Sequence, residues 1–160
     1  MPNDIIHTLD SLWIIYKPYA HEAVFTVEEA DKVKSQMPAF HTKNLFLVDK
    51  NSDHHLVCIS AHSRLKIKDF GRTYRLKDIS FWSPKDMAQQ LHTTPGSVSI
   101  FGIMYQTNTK LYLDPAIIDQ PSLGRHPNDN TMTLILSYKE LLKFLSMIGV
   151  KPVILKDSLL

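Results

Sequence analysis

Two short apolar runs, Asn44 to Val48 and His55 to Ser60, constrain this chain more than any other feature. Both are rich in Leu, Val, Phe and Ile, and the polar stretch Asp49-Lys50-Asn51-Ser52-Asp53 separates them, so they read as strand, turn and strand. Further strands are expected at Ser99 to Tyr105, Lys110 to Leu113, near Arg125, and at Met132 to Leu136. Helices are expected between them. Ile5, Leu9, Leu12 and Trp13 have helical spacing over Asp4 to Tyr16. Thr26-Val27-Glu28-Glu29 fits a capping box, opening a helix that stops before Pro38. Ser83-Pro84 starts a short helix to Leu91, and Ser137 with Glu140 opens one that runs to about Ile148, before Gly149 and Pro152. Strands mixed with helices, without regular alternation, predict an α+β fold with a mixed sheet.

Composition limits the class. At 160 residues the chain is the size of one domain, no linker or repeat divides it, and 1–160 reads as a single compact unit. Its 44% hydrophobic and 21% charged residues are globular values. The longest apolar stretch, Val98 to Tyr105, is far short of the roughly 20 residues of a membrane span. Met1-Pro2-Asn3-Asp4 has no basic n-region, and Cys58 is the single cysteine, so a reducing cytoplasm is the expected compartment.

The motifs of several chemistries are missing. The five glycines form neither G-x-G-x-x-G nor a phosphate-loop motif, and Gly96-Ser97-Val98-Ser99-Ile100 lacks the residues of a nucleophile elbow. Eight histidines include no H-x-x-x-H pair, so no metal and no cofactor is expected. Cys58 reads as a small core residue, and His54-His55, beside a polar turn, as solvated.

Charge is distributed unevenly. The chain carries +2, but between Arg64 and Lys77 six cations (Arg64, Lys66, Lys68, Arg72, Arg75 and Lys77) meet one anion, Asp69, leaving the remainder slightly acidic. A phosphate backbone met at one place produces this footprint, and so does a solvated helix face. Three other segments hold more polar detail than packing requires: His41-Thr42-Lys43-Asn44 entering a strand, Thr94 to Gly102 with amides able to form an anion-holding nest, and Gly124 to Thr131, crowded with turn formers.

In this order, together with Val24 to Ala30 and Gly149 to Ile154, these segments resemble the YbaK/ProX family, the prolyl-tRNA-synthetase-associated editing domains, over essentially the whole chain. The resemblance implies a single editing domain whose mixed sheet is largely antiparallel and flanked by helices. It also implies hydrolysis of the ester of mischarged aminoacyl-tRNA, typically alanine on tRNA(Pro), by a positioned water with help from the neighbouring ribose hydroxyl. A non-catalytic module that binds tRNA or a synthetase is the alternative. Aminoacylated tRNA(Pro) and prolyl-tRNA synthetase are the implied partners, with no membrane and no DNA.

By the same resemblance, Lys43, Gly96, Ser97 and Val98 are the catalytic residues. Asn44, Ser99, Ile100, His126 and Thr26 bind substrate; independently of the resemblance, the charge distribution leaves the cations from Arg64 to Lys77 to meet tRNA phosphates or to form a solvated face. Lys43 would hold the terminal nucleotide or the carbonyl oxygen, and the loop amides the water or the oxyanion. The chain departs from the family at two of these places: Ile100 stands where the family loop ends in proline, and Arg125 where it often has an aromatic residue.

Overall fold

The apolar runs of the sequence assemble into one sheet. In the computed structural model, which describes residues 2–24, 26–93 and 97–160, it has eight strands. These are β1 (Lys17–Ala20), β2 (Phe40–Val48), β3 (His54–Ser60), β4 (Ser80–Phe81), β5 (Lys110–Leu113), β6 (Leu123–Arg125), β7 (Met132–Leu136) and β8 (Val153–Ile154). The order is β1-β7-β6-β2-β3-β5-β8, with β4 added to β2. Both edges are short: Pro18 sits in β1, and Pro152 precedes the two residues of β8.

The expectation of a largely antiparallel sheet is corrected. β2 with β6, β3 with β5 and β5 with β8 are parallel; the other four pairings are antiparallel. Parallel neighbours need crossover connections. The chain between β3 and β5 supplies one, containing α3 (Ile67–Tyr74) and α4 (Pro84–Leu91), so the architecture is a mixed-sheet α/β domain.

Alternation along the strands divides the core in two. Phe46, Leu56, Cys58, Leu111, Leu113, Leu123 and Leu134 point to one face. There they meet Ile5 and Leu9 of α1 (Pro2–Ser11), Met87 and Leu91 of α4, and Leu141, Phe144 and Leu145 of α5 (Tyr138–Met147). Leu47, Val57, Ile59 and Tyr112 point to the other, under Leu65, Phe70, Leu155 and Leu159. The capping box at Thr26 is formed and opens α2 (Val27–Ser35). No helix among the described residues is long and apolar enough to cross a membrane.

Three expectations fail locally. The first helix ends at Ser11, because Trp13 takes a left-handed φ of 57°. The expected strand Ser99 to Tyr105 is instead a 3-10 helix, Ile100–Tyr105: the Ser99 hydroxyl accepts from the Phe101 amide and Gly102 N–H donates to Ser99 O, coiling the chain into the core. His55, expected in solvent, is fully buried. Its Nε2 lies 3.0 Å from the Asp49 carboxylate and its Nδ1 3.1 Å from the Tyr112 hydroxyl.

Candidate active site

The sheet opens where two parallel strands part. β2 pairs with β6 only at Phe40–Leu123 and His41–Gly124, and from Thr42 onward β2 pairs with β3. The gap lies at the carboxyl end of β6, where open sheets containing parallel strands place their ligands. Close packing fixes this point: a Cβ on Gly124 would come within 2.7 Å of His41 Nδ1, so glycine is what lets the two strands meet there.

A third segment closes the gap. Asn44 Nδ2 donates to Val98 O at 3.2 Å, and the Ser99 hydroxyl donates to His126 O. The chain at 97–99 is thereby tied to β2 and to the exit of β6 at once. Asn44, Val98, Ser99 and His126 meet in this way, with half-buried Ser97 adjoining. Lys43, also half-buried, stands opposite Ile59. Alternation puts Lys43 on the sheet face opposite to Asn44, the face that carries His41 and Gly124. On that face Phe70 of α3 packs with Leu47, Val57 and Ile59, and the Met37 carbonyl, just past α2, lies 3.4 Å from His41 Nε2.

Not every expected residue joins the cluster. Gly96 lies outside the described residues. Ile100 is 0% exposed and packs in the first core cluster, so its side chain supports the loop and does not meet a ligand. Thr26 is the N-cap of α2; its hydroxyl accepts from Glu29 N–H and its amide donates to the Glu29 carboxylate. Arg64, Lys66, Lys68, Arg72, Arg75 and Lys77 are all exposed, on α3 and its flanks. Arg72 reaches Asp69 at 3.4 Å and Lys66 reaches Ser158 O at 3.4 Å.

Electrostatics around His126 are those of a neutral imidazole. Burial lowers its pKa below 6.5, the nearby His21, Lys34 and His41 push the same way, and only the hydrogen bond to Met132 O opposes them. That bond, 3.3 Å from Nδ1, places the proton on Nδ1 and leaves the Nε2 lone pair available. His41 is lowered as well, first by burial. A cavity of about 130 Å³ lies between β1 and α2, lined by Tyr19, His21, Val33 and Met37 among others. A larger recess, about 440 Å³, lies at the end of α5 by Ser146 and Gly149 and contains none of the residues expected at the site.

Two features here were not anticipated from the sequence. Arg125 lies under the gap, 3% exposed. His21 binds the Thr133 hydroxyl through Nε2 at 2.9 Å, beside His126. The alternation that puts Leu123 in the core also puts Arg125 there, so its burial was readable from strand period.

The end of the β2–β6 pairing is thus bridged by the 97–99 segment through Asn44, Val98, Ser99 and His126. The model of the aminoacyl-tRNA editing domain matches residues 21–144, and the chain belongs to that family. It is 31% identical over 148 residues to the prolyl-tRNA editing protein ProX of Acetoanaerobium sticklandii, covering 91% of this chain and 90% of that one. The prolyl-tRNA synthetase associated domain-containing protein 1 of Mus musculus is 27% identical over 153 residues, covering 92% and 90%. Among solved structures, one described as a proposed trans-editing enzyme for prolyl tRNA synthetase superposes with a TM-score of 0.76 at 19% identity, covering 98% of this chain and 96% of the other.

Proposed function

We propose that this protein is a trans-editing hydrolase that cleaves the ester of mischarged aminoacyl-tRNA, with alanine on tRNA(Pro) as the foremost substrate. The observation that carries this reading is the junction of β2, the 97–99 segment and the β6 exit through Asn44–Val98 and Ser99–His126. The likeness to ProX supports the substrate class.

Among the described residues at the gap, none is an activated nucleophile, so the catalytic work is positioning. Well-oriented groups supply roughly 7–11 kcal/mol at best, enough for an activated ester. Lys43 holds the terminal nucleotide by charge. The loop at 96–98 and the Nε2 of neutral His126 hold the attacking water, and the vicinal ribose hydroxyl assists proton transfer. The exposed cations from Arg64 to Lys77 meet tRNA phosphates, and prolyl-tRNA synthetase is the partner whose errors are removed.

A second reading, a binding module without chemistry, is favoured by one observation: the mouse relative is named for its association with a synthetase and not for an activity. Incubation with alanyl-, seryl-, cysteinyl- and prolyl-tRNA separates the two. Release of one amino acid supports the hydrolase and names its substrate; tight binding of all four with intact esters supports the module.

A further inference from the structure

Arg125 is a buried cation without a counter-charge. Its Nη1 donates to Thr42 Oγ1 and to Cys58 Sγ, each at 2.9 Å. Among the described residues its Nε and Nη2 have no partner, and no carboxylate forms an ion pair with it. Asp114, buried at the end of β5 near Cys58, already accepts from the Ser60 and Ala116 amides. A guanidinium taken out of water in this way costs several kcal/mol unless something answers it. Beside it a second orphan occurs: Asn44, in register with Cys58, donates through Nδ2 to Val98 O, while its buried Oδ1 accepts from nothing among the described residues.

The unmet groups are complementary to one chemical head. The Nε/Nη2 edge of a guanidinium presents two parallel N–H donors, spaced for two oxygens on one carbon. The Asn44 oxygen is an acceptor suited to an ammonium. Two oxygens on one carbon next to an ammonium describe an α-aminoacyl group undergoing hydrolysis. Both residues follow closely on the last β2–β6 pair, His41–Gly124: Arg125 is the next residue on β6, and Asn44 lies three residues further along β2.

We infer that Arg125 is a catalytic residue that holds the two oxygens of the reacting carboxyl carbon, with Asn44 Oδ1 accepting from the substrate's α-ammonium. The inference rests on the editing reading. Water oxygen bonds to the carbonyl carbon, and the π pair moves onto the carbonyl oxygen. The water's proton passes through the ribose hydroxyl or His126 Nε2 to the leaving 3′ oxygen as the carbon–oxygen ester bond breaks. The products are a free ribose hydroxyl and an amino acid whose remaining acid proton goes to solvent, leaving a carboxylate on the fork. A cation already desolvated before charge develops needs no reorganisation when it does, which is the most effective form of electrostatic stabilisation.

The test measures single-turnover ester loss from one tRNA body charged with alanine, serine or proline, using wild type, Arg125→Met and Arg125→Lys. Arg125→Met should slow release about 10²-fold or more, as loss of an oxyanion donor does. The factor should be the same for every amino acid that wild type releases, with half-saturating enzyme concentration little changed. Arg125→Lys, charged but without the fork, should recover only part of the rate. Release by Arg125→Met within threefold of wild type, or a loss confined to one amino acid, overturns the inference. A second measurement needs no variant: free L-alanine should inhibit wild type and L-alaninamide should not, and equal inhibition overturns the inference. If wild type releases nothing from any charged tRNA, the editing reading itself has failed; release that ignores Arg125 defeats only the role given to this residue.

Discussion

Ser99 and His126, 27 residues apart, are joined by a hydrogen bond from the Ser99 hydroxyl to the His126 main-chain carbonyl. The same hydroxyl oxygen accepts from Phe101 N–H at 3.1 Å, so one buried side chain shapes the 3-10 helix and anchors the loop before it to β6. Ser99→Ala leaves both groups unmet, at a cost of about 1–3 kcal/mol. At about 2–4 °C per kcal/mol for a chain of this size, calorimetry should record a fall of several degrees. Deacylation measured at a temperature where the variant is fully folded should also decline, because the loop has lost its anchor.

Lys43 is half-buried on a strand whose ladder to β3 does not depend on its side chain. Lys43→Ala should therefore lower deacylation by about 10²-fold or more, the scale of one lost electrostatic contact to the reacting group, and leave the melting temperature unchanged. Undiminished turnover would remove Lys43 from the mechanism.

The cations around α3 make a different prediction. Arg64 and Lys68 are exposed, and replacing both with glutamine should flatten the dependence of log affinity for tRNA on log salt by about 1.4–1.8. Filter binding between low and moderate salt reads this slope. An unchanged slope returns α3 to an ordinary solvated face.

Histidine burial sets a pH dependence. His41, His54 and His126 all have pKa values lowered from 6.5, chiefly by burial. Below that value the unfolded chain binds protons that the folded rings refuse, so stability rises with pH there. The contribution is fully present above about 6.5 and is lost as pH falls. Thermal denaturation should show a melting temperature that declines on acidification through this range, and His126→Gln should make the decline shallower.

Asp49 acts further into acid. Burial raises its carboxyl, but the hydrogen bond to His55 and the amides of Asp53 and Asn51 outweigh this, so its pKa is lowered overall. Stability from the Asp49–His55 contact is present above the ordinary carboxylate range and is lost as pH falls through the lowered value. Asp49→Ala should cost about 1–3 kcal/mol at neutral pH, read by urea denaturation, because His55 keeps its burial and loses its acceptor.

Much of this was legible because it is local. The capping box at Thr26 and the N-cap serine at Ser137 place their own helices, and the polar turn at 49–53 separates β2 from β3 with no help from the rest of the chain. What was misread depends on distant partners. The Ile100–Tyr105 segment looks like a strand until Ser99 finds His126, after which it coils. His55 looks like a turn residue, although it shares a strand face with Val57 and Ile59, a period-2 fact that the adjoining polar residues obscured. The two-layer core and the parallel pairs are long-range, and no short window contains them. In the site, the family resemblance named Asn44, Val98, Ser99 and His126, which the fold brings together. It also selected Ile100, whose neighbours in space make it core.

The sheet margins have a consequence for how anything can dock. At one margin β1 contains Pro18, which has no amide hydrogen to offer, and at the other β8 is two residues long, immediately after Pro152. Neither rim presents enough main chain to stitch on a visiting strand. A visiting strand would therefore find little free main chain to pair with at either end of this strand order.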